Sequence, residues 1–140
     1  MQGVRILIVD DKGPYRKLLK KVLQRSFPTI VVEEATDGRG ALQKVDAFLP
    51  DLIFIIFIDI QLPDENDLEL TKKIKATHPN TIIFVITIHD TPEYQESAFQ
   101  HGADCFLPKT SLDPMGLEEL VKLSHILSVK FTRPETNVTP

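Results

Sequence analysis

The sequence predicts an α/β fold in which five strands alternate with five helices and form one parallel sheet between two helical layers. Five short segments are almost continuously apolar and rich in β-branched residues, which is typical of strands covered on both faces. Longer amphipathic segments separate them, and neither internal repeats nor low-complexity tracts interrupt the order. Right-handed crossovers would then place helices on both sides of the sheet.

The first half of the chain supplies two strands and two helices. Strands are predicted over Val4–Val9 and Ile30–Val32, and the second helix over Gly38–Leu49. The first helix has an apolar stripe at helical spacing, formed by Tyr15, Leu18, Leu19, Val22 and Leu23. Its opposite face carries five cations without an intervening acid, namely Arg16, Lys17, Lys20, Lys21 and Arg25.

The second half continues the alternation. Strands are predicted over Ile53–Ile58, Ile82–Ile86 and Ala103–Leu107, and helices over Asp67–Thr77, Pro92–Gln100 and Pro114–Val129. Two helix starts carry a capping residue followed by proline, at Thr91-Pro92 and Asp113-Pro114, and Gly102 suits a helix end. The domain is therefore predicted to run from residue 4 to 129, with residues 130–140 as a C-terminal tail or linker stub.

Length and composition indicate one small globular domain. The 140 residues fit a single domain, and 42% apolar with 26% charged residues is ordinary for a folded protein. The net charge of −4 argues against direct nucleic-acid binding, and the single cysteine, Cys105, excludes an internal disulfide. The longest apolar run, Leu52–Ile58, is far shorter than the roughly 20 residues of a membrane span, and the N-terminus lacks a signal-peptide core. We therefore expect a cytoplasmic protein with no membrane partner.

Polar residues stand at the ends of four predicted strands. Asp10 and Asp11 close the first strand, Asp59 the third, Thr87 the fourth and Lys109 the fifth. The carboxyl ends of parallel strands lie along one rim of the sheet, where ligands bind, so we expect these residues to cluster. Three carboxylates at that rim would repel one another unless a cation lay among them, and Mg²⁺ suits such an oxygen set.

This set of side chains predicts a phosphoryl-acceptor site. An ionised aspartate beside Mg²⁺ can act as a nucleophile and form an aspartyl phosphate. The metal and a nearby lysine would neutralise charge on the transferring phosphoryl group, and the Thr87 hydroxyl would hydrogen-bond one of its oxygens. Taken singly, the aspartates could be ordinary strand-end and turn residues, but their joint arrangement favours the site.

The segments at these strand ends resemble the receiver domains of bacterial two-component response regulators, the CheY-like superfamily. The segments are Ile8-Val9-Asp10-Asp11, Asp59-Ile60-Gln61-Leu62-Pro63, Thr87 after an apolar strand, and Phe106-Leu107-Pro108-Lys109. Each is weak alone, but together and in this order they are specific. The resemblance covers Val4 to Val129 and implies a flavodoxin-like fold with strand order 2-1-3-4-5.

The resemblance also implies roles for individual residues. Asp59 would accept a phosphoryl group from a sensor histidine kinase or a histidine phosphotransfer protein, and Lys109 would contact that group. Asp10, Asp11 and Asp59 would hold Mg²⁺ together with the backbone carbonyl of Gln61. Apart from its own phosphorylation and dephosphorylation, the domain would not be an enzyme.

Signal output follows from the same resemblance. Thr87 and Phe106 would move as a coupled switch, although Phe106 also suits an ordinary place in the core. A downstream protein partner would read the change, and the face of the fourth and fifth strands would be the surface of a homodimer. The basic face of the first helix has two interpretations, a solvated surface or a docking surface for an acidic phosphoryl donor.

The third strand departs from the family pattern. Pro50 precedes Asp59 by nine residues, where family members usually have six. The excess of about three residues corresponds to about 10 Å of extended chain. We expect it to extend or bulge the N-terminal end of the strand and to leave Asp59 at the rim, because Leu62-Pro63 keeps its usual spacing.

Three further departures surround the site. Ile88 replaces a small residue after Thr87 and could narrow access to Asp59. Thr110 replaces a proline that usually follows a cis peptide, and a cis bond before another residue costs about 3 kcal/mol. Asp67 stands at a turn position that is usually glycine, which matters if that turn requires a positive φ.

The departures keep other functions under consideration. A degenerate receiver would bind partners without phosphorylation. A small phosphatase with an aspartate nucleophile is disfavoured, because Gln61 stands where such enzymes have a second aspartate. A flavodoxin is disfavoured because Asp10-Asp11 occupies the place of a phosphate-binding loop rich in Gly, Ser and Thr.

Overall fold

Strands and helices alternate strictly in the computed structural model, which describes residues 4–47, 53–59, 67–87 and 91–108. The strands are β1 (Val4–Val9), β2 (Val31–Ala35), β3 (Ile53–Asp59), β4 (Ile82–Thr87) and β5 (Cys105–Pro108). The helices are α1 (Gly13–Ser26), α2 (Gly38–Asp46), α3 (Asp67–Thr77) and α4 (Pro92–Gln100). The predicted α/β alternation is confirmed over these ranges. The predicted helix at Pro114–Val129 and the tail at 130–140 lie outside the described residues.

The five strands form one sheet in the order β2-β1-β3-β4-β5, and every neighbouring pair is parallel. This is the predicted order 2-1-3-4-5. Pairing of β1 with β3 runs in unbroken register from Val4 opposite Ile53 to Val9 opposite Ile58. The last residue of β3, Asp59, lies opposite Ile86 of β4. β1, β3 and β4 therefore end at nearly the same level, which forms the carboxyl-end rim of the sheet.

Apolar side chains alternate between the two faces of the sheet. One layer combines β-strand residues with side chains of α2, α3 and α4, among them Ala41, Val45, Leu70, Ile74 and Ala98. The other layer combines the alternate strand residues, including Phe57 and Phe84, with Leu19 and Leu23 of α1. The central strands β1, β3 and β4 thus bury both sets of their residues, and this explains their continuous apolar runs in the sequence. Cys105 packs beside the α1 layer, where burial and the charge of Asp104 raise the pKa of its thiol.

Strand β2 lies at an edge of the sheet and is longer than predicted. The predicted Ile30–Val32 shifts to Val31–Ala35, so the strand includes Glu33 and Glu34. Glu33 pairs with Arg5 at 3.0 Å and with Lys44 at 3.4 Å. Glu34 pairs with three side chains of α1, and these are Arg16 at 2.8 Å, Lys20 at 2.9 Å and Lys17 at 4.0 Å. These ion pairs to neighbouring elements explain why Glu33 and Glu34 can belong to the strand, although the apolar pattern of the sequence did not include them.

Helix α1 corrects the predicted apolar stripe. Leu19 and Leu23 are buried, and Tyr15 and Val22 pack against the same layer. Leu18, predicted to belong to the stripe, is 58% exposed instead. At about 100° per residue, Leu18 and Leu23 lie on opposite edges of the stripe, and the helix is rotated so that only the Leu23 edge faces the sheet.

The ends of α4 follow the predicted capping signals. The Thr91 hydroxyl accepts a hydrogen bond from the backbone N–H of Tyr94, and Pro92 occupies the first turn. Beyond the helix, Gly102 has a φ of 108°, and a Cβ there would lie 3.0 Å from Cγ of Lys75. Glycine is therefore required both by the backbone and by the approach of α3.

Several other element boundaries differ from the predictions, and β3 and β4 each run one residue further, to Asp59 and Thr87. α2 ends at Asp46 instead of Leu49, and the Ala47 N–H bonds back to the carbonyls of Lys44 and Val45. β5 runs over Cys105–Pro108 instead of Ala103–Leu107. Before it, the Ala103 N–H donates to the carbonyl of Ala98 in α4, and the Asp104 N–H donates to the carbonyl of Ile83 in β4.

The two departures from the family pattern that fall within the described ranges, in the third strand and at Asp67, do not distort the backbone there. β3 contains no bulge between 53 and 58, since its register with β1 is continuous there. Asp59 stays at the rim, as predicted. Asp67 is the first residue of α3, and no non-glycine residue of the described ranges has a positive φ. Aspartate therefore meets no backbone penalty at this position.

Truncation of two adjacent leucines in α1 tests the observed rotation of the helix. We expect Leu19→Ala to lower the free energy of unfolding by about 2–5 kcal/mol, because it removes buried methyl groups from the core. Leu18→Ala, the matched control, should change it by less than about 0.5 kcal/mol, because that side chain is exposed. Urea unfolding measures both values, and equal losses would contradict the assigned rotation.

The pH dependence of stability should report the ion pairs of Glu34. Hydrogen bonds from Lys20 and Arg16 and the charges of Lys20 and Lys17 hold the pKa of Glu34 below its ordinary value of 4.5, although burial acts in the opposite direction. Because the folded-state pKa is lowered, the stabilisation is fully present above pH 4.5 and is lost as the pH falls through the folded-state pKa. Urea unfolding of the wild type and Glu34→Gln should differ at pH 7 and converge in acid. Glu93→Gln, at an exposed position in α4, serves as the control and should show no such convergence.

Candidate functional site

The carboxyl-end rim gathers the polar residues that the sequence places at separate strand ends. Asp10 follows β1, Asp59 is the last residue of β3, and Thr87 is the last residue of β4. All three are buried, with 2%, 4% and 0% of their surfaces exposed. Parallel pairing of the strands brings these positions together, although 48 residues separate Asp10 from Asp59 in the chain.

Three carboxylates form an acid cluster at this rim, consisting of Asp10, Asp11 and Asp59. One oxygen from each lies within 4.8 Å of the others. The predicted clustering is therefore confirmed for these three residues. Carboxylate oxygens are ligands that Mg²⁺ prefers, and their spacing suits one ion that retains some of its waters. The donor set therefore fits a divalent cation.

Lys12 places an ammonium group against the acid cluster. Its Nζ lies 3.3 Å from Oδ1 of Asp11 and 3.5 Å from Oδ2 of Asp59. Burial acts to lower the pKa of Lys12, but the hydrogen bond to Asp11 and the charges of the three aspartates raise it above the ordinary 10.5. The lysine is thus a charged partner of two of the three carboxylates.

Backbone and side-chain hydrogen bonds hold the first carboxylate in place. The Asp10 N–H donates to the carbonyl of Ala35 at 3.0 Å, and the Asp10 carboxylate accepts from the N–H of Lys12 at 2.8 Å. Arg16 donates to the Asp10 carbonyl at 2.7 Å and to Glu34 at 2.8 Å. The guanidinium therefore connects the loop after β1 to the edge strand, and it holds the backbone of Asp10.

Tyr15 responds to the charge of the cluster. Its side chain is partly buried against the α1 layer. Burial, together with the negative charges of Asp10 and Asp59, raises the pKa of the phenol to about 12. Tyr15 is therefore a neutral residue beside the cluster at physiological pH.

Thr87 and Phe106 lie on neighbouring strands and on the same side of the sheet. Phe106 of β5 pairs with Val85 of β4, and both belong to the layer covered by α2, α3 and α4. Thr87 follows Val85 by two residues and so faces the same side. Phe106 is buried in that layer, which agrees with the expected core position.

Other residues singled out by the sequence lie outside the described ranges. Gln61, the predicted carbonyl ligand, and Lys109, the predicted phosphoryl contact, are both among them. So are Ile88 and Thr110, two of the departures from the family pattern. Their assignments remain predictions.

Lys12, Tyr15 and Arg16 belong to the surroundings of the site but were not predicted there. The sequence places Tyr15 in an apolar stripe and Arg16 on a basic face, and both descriptions concern only the sides of α1. The available signal is their position, because all three lie within six residues of Asp10 and therefore in or just before the first turn of a helix that begins at the rim.

Comparison with known families decides the classification. A model described as the response regulator receiver domain matches residues 6–122. The chain belongs to this family. Receiver domains of two-component systems are characteristically phosphorylated on aspartate and bind Mg²⁺ at an acidic pocket, and the acid cluster lies at the corresponding rim.

Two curated relatives are similar to this chain over most of its length. It is 36% identical over 132 residues to response regulator MprA of Mycolicibacterium vanbaalenii, covering 94% of this chain and 53% of that protein. It is 31% identical over 120 residues to transcriptional regulatory protein DegU of Brevibacillus brevis, covering 86% of this chain and 49% of that protein. The receiver domain thus spans about half the length of these relatives.

A solved structure supports the fold independently. A CheY-like response regulator receiver domain protein from Methanospirillum hungatei superposes with a TM-score of 0.79 at 28% identity, covering 90% of this chain and 96% of that one. The predicted flavodoxin-like fold is confirmed. In the part of the receiver domain that the structure describes, no helix combines the length and apolar character needed to cross a membrane.

The raised pKa of Tyr15 can be measured directly. The chain has two tyrosines, so Tyr94→Phe leaves Tyr15 as the only phenol to titrate. Tyrosinate absorbance of that variant should give a pKa of about 12 for Tyr15. Adding Asp59→Asn removes one of the negative charges and should lower this pKa, while Asp46→Asn, a change at an exposed position in α2, should leave it unaltered.

Proposed function

We propose that this receiver domain accepts a phosphoryl group on Asp59 and relays the signal by a conformational change. The observation that carries the proposal is the acid cluster, in which Asp59 is buried at the rim with its carboxylate close to those of Asp10 and Asp11. A buried carboxylate among two others is unfavourable without a cation, so the arrangement favours a metal-assisted reaction over a structural role.

Asp59 is the proposed nucleophile. One of its carboxylate oxygens would bond to phosphorus while the bond between phosphorus and the donor's histidine nitrogen breaks, and the departing imidazole would take a proton from solvent. Asp10, Asp11 and Asp59 would hold Mg²⁺, which neutralises charge on the phosphoryl oxygens when it is bound. The Gln61 carbonyl and the Lys109 ammonium complete the proposed set as a metal ligand and a phosphoryl contact.

Thr87 is the proposed sensor of the phosphoryl group. Asp59 lies opposite Ile86, so Thr87 stands one residue further along the neighbouring strand. A hydrogen bond from its hydroxyl to a phosphoryl oxygen would draw the end of β4 toward β3. Phe106 faces the same side on β5, and its packing would change with Thr87, which shifts the population of two arrangements of this face.

The proposed phosphoryl donor is a sensor histidine kinase or a histidine phosphotransfer protein, encountered in the cytoplasm. Helix α1 offers two surfaces to such a donor, an exposed apolar residue, Leu18, and the exposed cations Lys17, Lys21 and Arg25. Three cations of the basic face, Arg16, Lys17 and Lys20, pair with Glu34, so an acidic partner would meet a smaller positive charge than the sequence suggests. Docking on α1 is therefore proposed to depend on Leu18 as well as on charge.

The proposed output is a protein contact and not direct nucleic-acid binding by this domain. Its net charge of −4 opposes binding to a phosphate backbone. The described part of the proposed dimer face includes α4, where Tyr94 and Phe99 are 40% and 45% exposed. Exposed aromatic side chains are typical of contact surfaces, and a homodimer or a downstream partner would cover them.

A second candidate function is a degenerate receiver that binds partners without phosphorylation. The observation that favours it is the Lys12 ammonium, which already neutralises part of the acid cluster at Asp11 and Asp59. Ile88 and Thr110, as departures from the family pattern, point the same way. Under this alternative, the cluster would have a structural role and α4 would serve as a constitutive binding surface.

Phosphorylation of the full chain tests the first candidate. After incubation with Mg²⁺ and either acetyl phosphate or phosphoramidate, intact mass spectrometry should show one added phosphoryl group. Asp59→Asn should remove it, because an amide is not a nucleophile of this kind, and chelation of Mg²⁺ should also prevent it. Asp46→Asn is the matched control and should be phosphorylated like the wild type. An unmodified wild type, or an undiminished product in Asp59→Asn, would refute phosphorylation at this residue, and retained partner binding would then favour the degenerate receiver.

A further inference from the structure

Lys12 places a charged side chain against the acid cluster, and the proposed reaction gives this side chain no role. Its ammonium contacts Asp11 and Asp59 at 3.3 and 3.5 Å, and the N–H of the same residue donates to Asp10. Through one residue, the loop after β1 therefore reaches all three carboxylates. The hydrogen bond from the Lys12 N–H holds the backbone of this residue in place, and its side chain extends so that the ammonium lies beside Asp11 and Asp59.

The two contacts of Lys12 are with carboxylates that the proposed Mg²⁺ site also needs. A divalent ion between Asp11 and Asp59 requires oxygens at about 2.0–2.1 Å, closer than an ammonium approaches. An ammonium in contact with both carboxylates would lie near that ion, and two cations a few ångströms apart repel each other. The lysine and the metal therefore compete for the negative charge of the same pair.

Lys12 is also held in a way that allows it to leave. Its side chain is 52% exposed, and both contacts are longer than the 2.9 Å pair of Lys20 with Glu34. The lysine end of both pairs reaches solvent, although the side chain of its partner Asp59 is only 5% exposed. Arg16 is different, since its side chain is only 12% exposed and is held by hydrogen bonds to two elements. The site thus has a fixed cation that positions Asp10 and a mobile cation that covers Asp11 and Asp59.

We propose that Lys12 is an exchangeable internal counter-ion of the acid cluster, which Mg²⁺ must displace from Asp11 and Asp59 in order to bind. The inference rests on the metal site of the proposed function and adds a residue that sets the affinity of that site. Without metal, the ammonium offsets the repulsion among the carboxylates. With metal, the lysine swings outward from a helix start that stays in place, and Lys12 is therefore a residue that tunes metal affinity and is not itself a ligand.

Calorimetric titration of the full chain with MgCl₂ at low ionic strength tests the exchange. Lys12→Gln removes the charge and keeps most of the length, so it should lower the Mg²⁺ dissociation constant by about three- to tenfold. Lys12→Arg keeps the charge and should stay within about twofold of the wild type. Lys21→Gln, an exposed change of equal charge nine residues along the same helix and about 13 Å away along its axis, is the control and should also stay within about twofold. Raising the salt concentration should reduce the difference.

Thermal unfolding supplies a readout that a purely structural role would not produce. In the presence of a chelator, Lys12→Gln should lower the melting temperature by about 1–4 °C, because the carboxylates then lose their counter-ion. At saturating Mg²⁺ the melting temperature of Lys12→Gln should equal or exceed that of the wild type, since the metal replaces the lysine and binds the variant more tightly. Lys21→Gln should show no dependence on metal.

Several results would overturn the exchange. They are an Mg²⁺ dissociation constant of Lys12→Gln equal to or above that of the wild type, a heat of binding that persists in Asp59→Asn, and no detectable binding in either the wild type or Lys12→Gln. Because these measurements need no phosphoryl donor, they are independent of the mass experiment. If Lys12→Gln binds Mg²⁺ more tightly but the wild type is not phosphorylated, the exchange is supported and the proposed function is contradicted. If the wild type is phosphorylated but Lys12→Gln binds Mg²⁺ with unchanged affinity, the proposed function is supported and the exchange is contradicted.

Discussion

Mutual repulsion among Asp10, Asp11 and Asp59 is the constraint to which the rest of the rim responds. Their oxygens lie within 4.8 Å of one another, and two of the three side chains are buried. Such a grouping is unfavourable unless positive charge or hydrogen-bond donors compensate for it. Lys12 supplies a charge in front of the cluster, and the backbone N–H of the same residue supplies a donor. The charge of the cluster also helps to raise the pKa of the Tyr15 phenol, which keeps its proton.

The parallel sheet holds the three carboxylates together in spite of their repulsion. β1, β3 and β4 are buried on both faces by apolar layers, so their ends cannot separate to relieve the repulsion without exposing the core. The interior is close-packed, and a small displacement at the rim is transmitted as a shift between discrete arrangements. Phe106 belongs to the layer that packs on α2, α3 and α4, and Thr87 faces the same side at the end of β4.

Sequence reasoning succeeded wherever topology decides position. The clustering of Asp10 with Asp59 follows from strand order alone, and the caps of α4 follow from local chemistry at Thr91 and Gly102. It failed at Leu18, which is exposed. An apolar stripe predicts which residues of a helix can face the core, but it does not predict how the helix is rotated about its axis when it packs on the sheet. It also missed the role of Lys12, since periodicity describes the sides of a helix, whereas this residue acts at its start. Gln61 was assigned through family resemblance, and Lys109 through its position after the fifth strand as well as the resemblance, and both assignments remain predictions.

The hydrogen bonds of Arg16 extend the site to a position that looks unrelated to it. Glu34 lies in the edge strand, yet it accepts a hydrogen bond from the guanidinium that also donates to the carbonyl of Asp10. A substitution at residue 34 would free that arginine and loosen the loop that carries two of the three acids. In genetic terms, the proposed site is larger than its ligands. If Asp59 accepts a phosphoryl group as proposed, changes in the edge strand would behave as hypomorphic alleles of that reaction, although the side chain of Glu34 forms its ion pairs with Arg16, Lys17 and Lys20.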